Sequence, residues 1–299
     1  MVKKLASQWL SAARISPTAL YTGQVWQTTG RSIPELKSMP ASALHMALAP
    51  SMFVSRSFGG PTLEDFLLAR HDLIDHHLTE LIESGKATQI IEIAAGLSPR
   101  GSRFVERYGD RITYIEADLP GMVAQKKKLL ATRLRACSNH HVKVVDAFAE
   151  EGAHSLDGLA MQLDTAKGLV VITEGLLNYF DKDSVLNLWS RISHTLTQFA
   201  HGTYLSDIHM QAQNSDPLAQ AFVSGLGIFV RGKVHHRIGR SLQHLGRHSG
   251  LVRQVRLQSQ HLVACGLGGR LKKKAGKTGR TCDKNFHSWS LHSQKKNPT

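Results

Sequence analysis

Two hydrophobic periods alternate along the middle of the chain. From Thr62 to Ser84 the apolar residues Leu63, Phe66, Leu67, Ile74, Leu78, Leu81 and Ile82 recur at helical spacing, and Gly85 marks the stop. The period then changes to the short, continuous apolar run Ile90, Ile91 and Ile93, the pattern of a strand buried on both faces. A helix near Ser102 to Tyr108, a strand over Ile112–Glu116, a helix opened by Pro120 and a strand over Val142–Val145 follow. Next come a strand over Leu169–Thr173 and a helix capped by Asp181, with Val185, Leu186, Leu188, Trp189, Ile192 and Leu196 on its apolar positions. The last of the series is a strand over Thr203–Ser206. Strands alternating with helices predict an α/β fold, a Rossmann-like open sheet with helices on both faces. Residues 1–61 differ: Pro17, Pro34, Pro40, Pro50, Gly59, Gly60 and Pro61 punctuate short helical patches, the pattern of an N-terminal helical lid.

The chemistry concentrates where strands end. QIIEIAAGLSPRG (89–101) reads as strand, glycine loop and helix, and YIEADLP (114–120) as a second strand finishing in an acid 22 residues beyond Gly96. Four of the five strands finish near an acid, Asp118, Asp146, Glu174 or Asp207, and the first contains Glu92. Ligands of open α/β sheets bind outside the carboxyl ends of the strands, so these acids ring one crevice. An aspartate after a strand is also a common helix cap, and that alternative stands for each. A dinucleotide pyrophosphate needs glycine at three spaced positions, whereas here bulk replaces one of them and Pro99 stiffens the turn. S-adenosyl-L-methionine has no phosphate. It needs a small residue beside its methionine part and a carboxylate for its ribose hydroxyls, which Gly96 and Asp118 supply. A nicotinamide-dependent oxidoreductase is the competing enzyme class, and the missing glycines disfavour it.

Three other features are weighed. His71 and Asp75 stand one helical turn apart, a spacing that could hold a metal, but no third ligand is evident and none is expected. Glu92, inside an apolar strand, either reaches the cofactor's amino group or pairs with a neighbouring helix; the cofactor is the expectation. Lys126, Lys127 and Lys128 read as a solvated helix face.

With 299 residues the chain can bury a full core. It has no apolar run of membrane-spanning length, and Ser7 and Gln8 interrupt any secretory stretch, so a cytoplasmic location and no membrane partner are expected. Cys137, Cys265 and Cys282 form neither a metal spacing nor a disulfide framework. The net charge of +14 is concentrated at one end: residues 217–299 hold 16 Lys and Arg against the single acid Asp283, while the rest hold 21 basic and 22 acidic groups.

EIAAGLSPRG, YIEADLPGMVAQKK and VITEGLLNYF, in this order, resemble class I S-adenosylmethionine-dependent methyltransferases of the leucine carboxyl methyltransferase family, bacterial branch, over about residues 17–234. The resemblance implies a Rossmann-like seven-stranded core and methyl transfer to an oxygen of a small-molecule hydroxyl or carboxyl acceptor. Carried over by position, it implies Gly96 beside the cofactor, Asp118 on the ribose, Asp146 with Ala147 at the adenine, Glu174 as the acid ending the fourth strand, and Arg70 on the methionine carboxylate. Such a transfer needs positioning and desolvation above all. A hydroxyl acceptor would also need a base, for which His209 is the candidate, with Tyr179 for orientation.

Three segments follow: a lid over 1–86, a cofactor-binding core over 87–234 and an atypical basic segment over 235–299. In the resembled family the chain continues with an acidic, alanine-rich helix and a closing β-hairpin. Here seven histidines from 235 on and almost no acids fit an out-of-frame reading that begins near His235 to Arg237. The rival reading is a nucleic-acid arm in which Lys272, Lys273, Lys274, Lys277 and Arg280 meet phosphates, which would make RNA the acceptor. A third is a helix over Arg240–His248 and a strand over Val252–Leu257 before a disordered tail.

Overall fold

The structure, a computed structural model, describes residues 17–37, 63–177, 180–207, 262–265 and 288–289. Helix α1 (Pro17–Thr28) and a 3-10 turn (Pro34–Leu36) precede α2 (Leu63–Glu83), which ends before Gly85 at φ +73°. Then come β1 (Gln89–Ile93), α3 (Arg100–Tyr108), β2 (Thr113–Asp118), α4 (Pro120–Leu129), α5 (Ala131–Ala136) and β3 (His140–Val144). The series closes with α6 (Leu156–Ala160), β4 (Gly168–Thr173), α7 (Lys182–Thr197), β5 (His201–Asp207) and the short β6 (Leu262–Cys265) and β7 (Ser288–Trp289). Local chemistry sets the boundaries. Pro120 stands in the first turn of α4, the Asp181 side chain accepts the Ser184 N–H at the start of α7, and Gly109 closes α3 at φ +53°. The short helices α5 and α6 carry no strong periodic signal and are additions to the expected series.

The sheet runs β3-β2-β1-β4-β5-β6-β7, parallel from β3 to β6, with β7 antiparallel to β6. Every residue of β1 and β4 is buried, because helices cover both faces. On one face Ile91, Ile93 and Val171 pack with Leu156 of α6 and Val185, Leu188, Trp189 and Ile192 of α7. On the other, Ile90, Tyr114, Val170, Ile172 and Leu205 meet Ile74, Leu78 and Ile82 of α2 and Phe104, Val105 and Tyr108 of α3. Each such aliphatic side chain contributes about 1.5–3 kcal/mol on burial. The alternation of apolar periods therefore has its expected result, a Rossmann-like α/β sheet covered on both sides. Among the described residues no helix is long and apolar enough to cross a membrane.

Helix α1 lies against the loop that follows β1. A methyl group on Gly96 would come 3.2 Å from the Ala19 Cβ, and one on Gly23 would come 3.1 Å from the Leu97 Cβ. Tyr21 and Val25 of α1 also pack on Leu67 of α2. Residues 1–16 and 38–62 lie outside the described residues. So do Tyr179, His209, the proposed frame change near His235, the basic residues Lys272 to Arg280, and the expected helix over Arg240–His248 and strand over Val252–Leu257.

Candidate functional site

The glycine loop is built from two left-handed residues in one turn. Ala94 has φ +54° and Gly96 φ +49°. Glycine adopts this region freely, whereas alanine there is strained by about 1–2 kcal/mol. The turn is held from the neighbouring strand: Asp118 Oδ2 accepts the Gly96 N–H at 2.7 Å, its Oδ1 accepts the Leu119 N–H at 2.7 Å, and the Ala95 N–H donates to the Ala117 carbonyl. Burial pushes the Asp118 carboxyl up from its ordinary value, against the two backbone N–H groups that favour its charge. Each carboxylate oxygen offers about two acceptor positions, so Asp118 keeps capacity for two hydroxyl donors after these bonds are made. Asp146 follows β3. Its Oδ1 accepts the Phe148 N–H at 2.9 Å, and Ala147 is buried in the core beneath that turn.

A second, larger group of charges occupies the α2–α3 face and reaches the ends of β4 and β5. Arg70 Nε donates to Glu174 Oε1 at 3.0 Å and its Nη1 to Asp207 Oδ2 at 3.3 Å, while Asp207 Oδ1 accepts the Gly175 N–H at 2.7 Å. Arg100, wholly buried, donates through Nε to Asp75 at 2.5 Å, through Nη1 to Glu92 at 2.5 Å and through Nη2 to Glu174 at 2.6 Å. His71 Nδ1 lies 3.0 Å from Glu174 Oε2 and 2.8 Å from Arg100 Nη2. Burial alone would raise Glu174, but His71, Arg100 and Arg70 hold it well below the usual carboxylate range. Burial raises Asp207, with Glu174 adding to it and Arg70 opposing.

The structure thus draws together Arg70 and Glu174 in one cluster and Gly96 and Asp118 in another, with Asp146 and Ala147 after β3. Glu92 is a correction. Buried on the α3 side of the sheet, it accepts from Arg100 and from the Tyr114 hydroxyl at 2.7 Å and pairs with that helix rather than reaching for a cofactor. Lys126 is another. Only Lys127 and Lys128 are solvated, whereas Lys126 is buried, 2.6 Å from Glu116 Oε2, and donates to the Ser98 carbonyl at 2.9 Å. His71 and Asp75 enter the Arg100 network, and among the described residues no group of side chains has metal-ligand geometry.

Arg100 was not anticipated as a site residue. A cation in the first turn of a helix is opposed by the helix dipole, and this mismatch in SPRG was its available signal.

A parallel sheet in the order β3-β2-β1-β4-β5, with a left-handed glycine turn after β1 clasped by an acid from β2, defines the chain as a Rossmann-like α/β protein. The family model described as leucine carboxyl methyltransferase matches residues 35–193, and the chain belongs to that family. A search of curated proteins found no match. Among solved structures the chain is similar to a methyltransferase candidate from Thermobifida fusca YX, at 14% identity and a TM-score of 0.45 over 63% of this chain and 66% of that one. It is also similar to an O-methyltransferase family protein from Burkholderia thailandensis, at 16% identity and a TM-score of 0.36 over 62% and 54%. PigF with SAH aligns at 14% identity and a TM-score of 0.35 over 48% and 40%. The chain spans less than two thirds of the length of each of these neighbours.

Proposed function

We infer that this chain is an S-adenosylmethionine-dependent O-methyltransferase acting on a small-molecule hydroxyl or carboxyl acceptor. The observation that carries this reading is the Gly96 N–H held by Asp118, a carboxylate at the end of β2 with remaining acceptor capacity. When bound, the donor supplies an electrophilic methyl group on sulfur. The chain binds and orients. Asp118 takes the ribose hydroxyls, Gly96 leaves room for the sulfur end, Asp146 and Ala147 border the adenine, and Arg70, carried by Glu174 and Asp207, takes the methionine carboxylate.

On the acceptor side a carboxylate needs no base, while a hydroxyl acceptor assigns that role to His209, with Tyr179 orienting it. Residues 1–86 are the lid segment in this reading, of which α1 lies against the glycine loop while α2 packs as a layer of the core itself, and the chain works in the cytoplasm. Glu92 has no place in this reading, since Arg100 and Tyr114 engage it. Calorimetry with S-adenosylhomocysteine and with NAD tests the proposal. Binding of the first and not the second is expected; absence of S-adenosylhomocysteine binding overturns it.

A further inference from the structure

Arg70 is a cation of the charge cluster that keeps contact with the outside, its side chain 19% exposed, and it is caged. Glu174 holds its Nε, Asp207 holds Nη1, and Gly175, at φ +67°, forms the floor: a methyl group there would lie 2.9 Å from Nη2. Glu174 is in turn shared. The oxygen not facing Arg70 accepts from Arg100 at 2.6 Å. Arg100 has no exposure and is fixed by Asp75 and Glu92, which come from α2 and β1. A glutamate bound by one guanidinium alone could swing about its terminal torsion. With its other oxygen bound by Arg100 and by His71 Nδ1 at 3.0 Å, it has a single orientation, and that orientation sets the Arg70 plane. The backbone of Arg100 is also the start of α3, and its N–H donates to the Ser98 hydroxyl at 3.3 Å, so the same residue joins the glycine loop to the end of β4.

We propose that Arg100 is a positioning residue that acts through Glu174 to hold the Arg70 guanidinium where it receives the carboxylate of the donor's amino-acid end. The inference rests on the donor reading above. Arg100 cannot touch the ligand itself, and it controls one end of that ligand only.

The test uses the full chain and two ligands. S-adenosylhomocysteine has the amino-acid end; 5′-methylthioadenosine keeps the adenosine and the sulfur but lacks it. Arg100→Lys retains the charge, yet one ammonium cannot meet Asp75, Glu92 and Glu174 as the guanidinium fork does. Calorimetry should find S-adenosylhomocysteine weakened about tenfold or more, the scale of a lost charge-assisted contact, with 5′-methylthioadenosine changed less than about twofold. In an Arg70→Met background Arg100→Lys should add nothing further, because both changes remove the same interaction.

Parallel losses for both ligands, or additive effects in the double variant, would overturn the proposal in favour of a purely structural role. If Arg100→Lys does not fold, Gly175→Ala takes its place in the same cycle. It leaves Arg100 intact and pushes the Arg70 guanidinium, and unchanged S-adenosylhomocysteine affinity there would equally overturn it. A wild-type chain that binds 5′-methylthioadenosine but discriminates nothing at the amino-acid end refutes this inference alone. One that binds neither ligand refutes the donor reading and this inference with it.

Discussion

Asp118 has two tasks, and they bear on it differently. Its carboxylate holds the left-handed turn by accepting the Gly96 N–H, and in the proposed function it also receives the ribose. Asp118→Ala therefore removes a charged acceptor from ligand and loop together. S-adenosylhomocysteine binding measured by calorimetry should weaken by about 1–3 kcal/mol. Because burial raises this carboxyl above its ordinary 3.8, its charge is lost at a higher pH than that of a solvated aspartate. Affinity should accordingly fall as pH drops through a midpoint above 3.8, and Asp118→Asn should bind weakly with that dependence gone. At this scale the acids at strand ends were legible in the chain, because a strand that ends in a carboxylate places it at the crevice. The partners were not. Glu92 and Glu116 are similar acids inside apolar strands, and only the packing of α3 and α4 decides that Arg100 answers one and Lys126 the other.

Among the elements, α4 shows how a helix can be fastened by a residue that looks like surface. Two of its three consecutive lysines face water, but Lys126 turns inward, pairs with Glu116 of β2 and caps the Ser98 carbonyl of the glycine loop. Burial by itself would raise Glu116, yet Lys126 and His140 outweigh it and hold the carboxyl below its ordinary value. Lys126→Met would leave that buried carboxylate with His140 alone, at a cost of up to about 3–5 kcal/mol in unfolding free energy. Urea titration should find most of this loss recovered in Lys126→Met combined with Glu116→Gln, since the neutral amide has no charge to desolvate. A run of three lysines carries no mark of which one points inward, because that depends on the rotation of α4 against β2. The boundaries of α2, α4 and α7, by contrast, were readable from Gly85, Pro120 and Asp181, whose effects are local.

For the molecule as a whole, the α/β class was legible in the alternation of apolar periods, whereas the meeting of α2 with the ends of β4 and β5 was not. Arg70 is 104 residues from Glu174 and 137 from Asp207, and nothing in the spacing announces the contact. That distant cluster contributes to the acid behaviour of the fold together with two acids of β2. Glu174 and Glu116 have folded values below the ordinary 4.5, so each contributes stability that is complete above 4.5 and is lost as pH falls through its lowered folded value. Asp207 and Asp118 have the opposite sign. Raised above 3.8, they favour the folded state when protonated, and that contribution is lost as pH rises through their raised values. The two pairs oppose each other during acidification, which flattens the fall in stability. Asp207→Asn removes one opposing term, so its unfolding free energy should fall more steeply than that of the wild type as pH drops toward 3.8, while Glu116→Gln should fall less steeply below pH 4.5. A urea series from neutral pH downward measures both slopes, and equal slopes for the two variants would contradict the assignment of sign to these carboxylates.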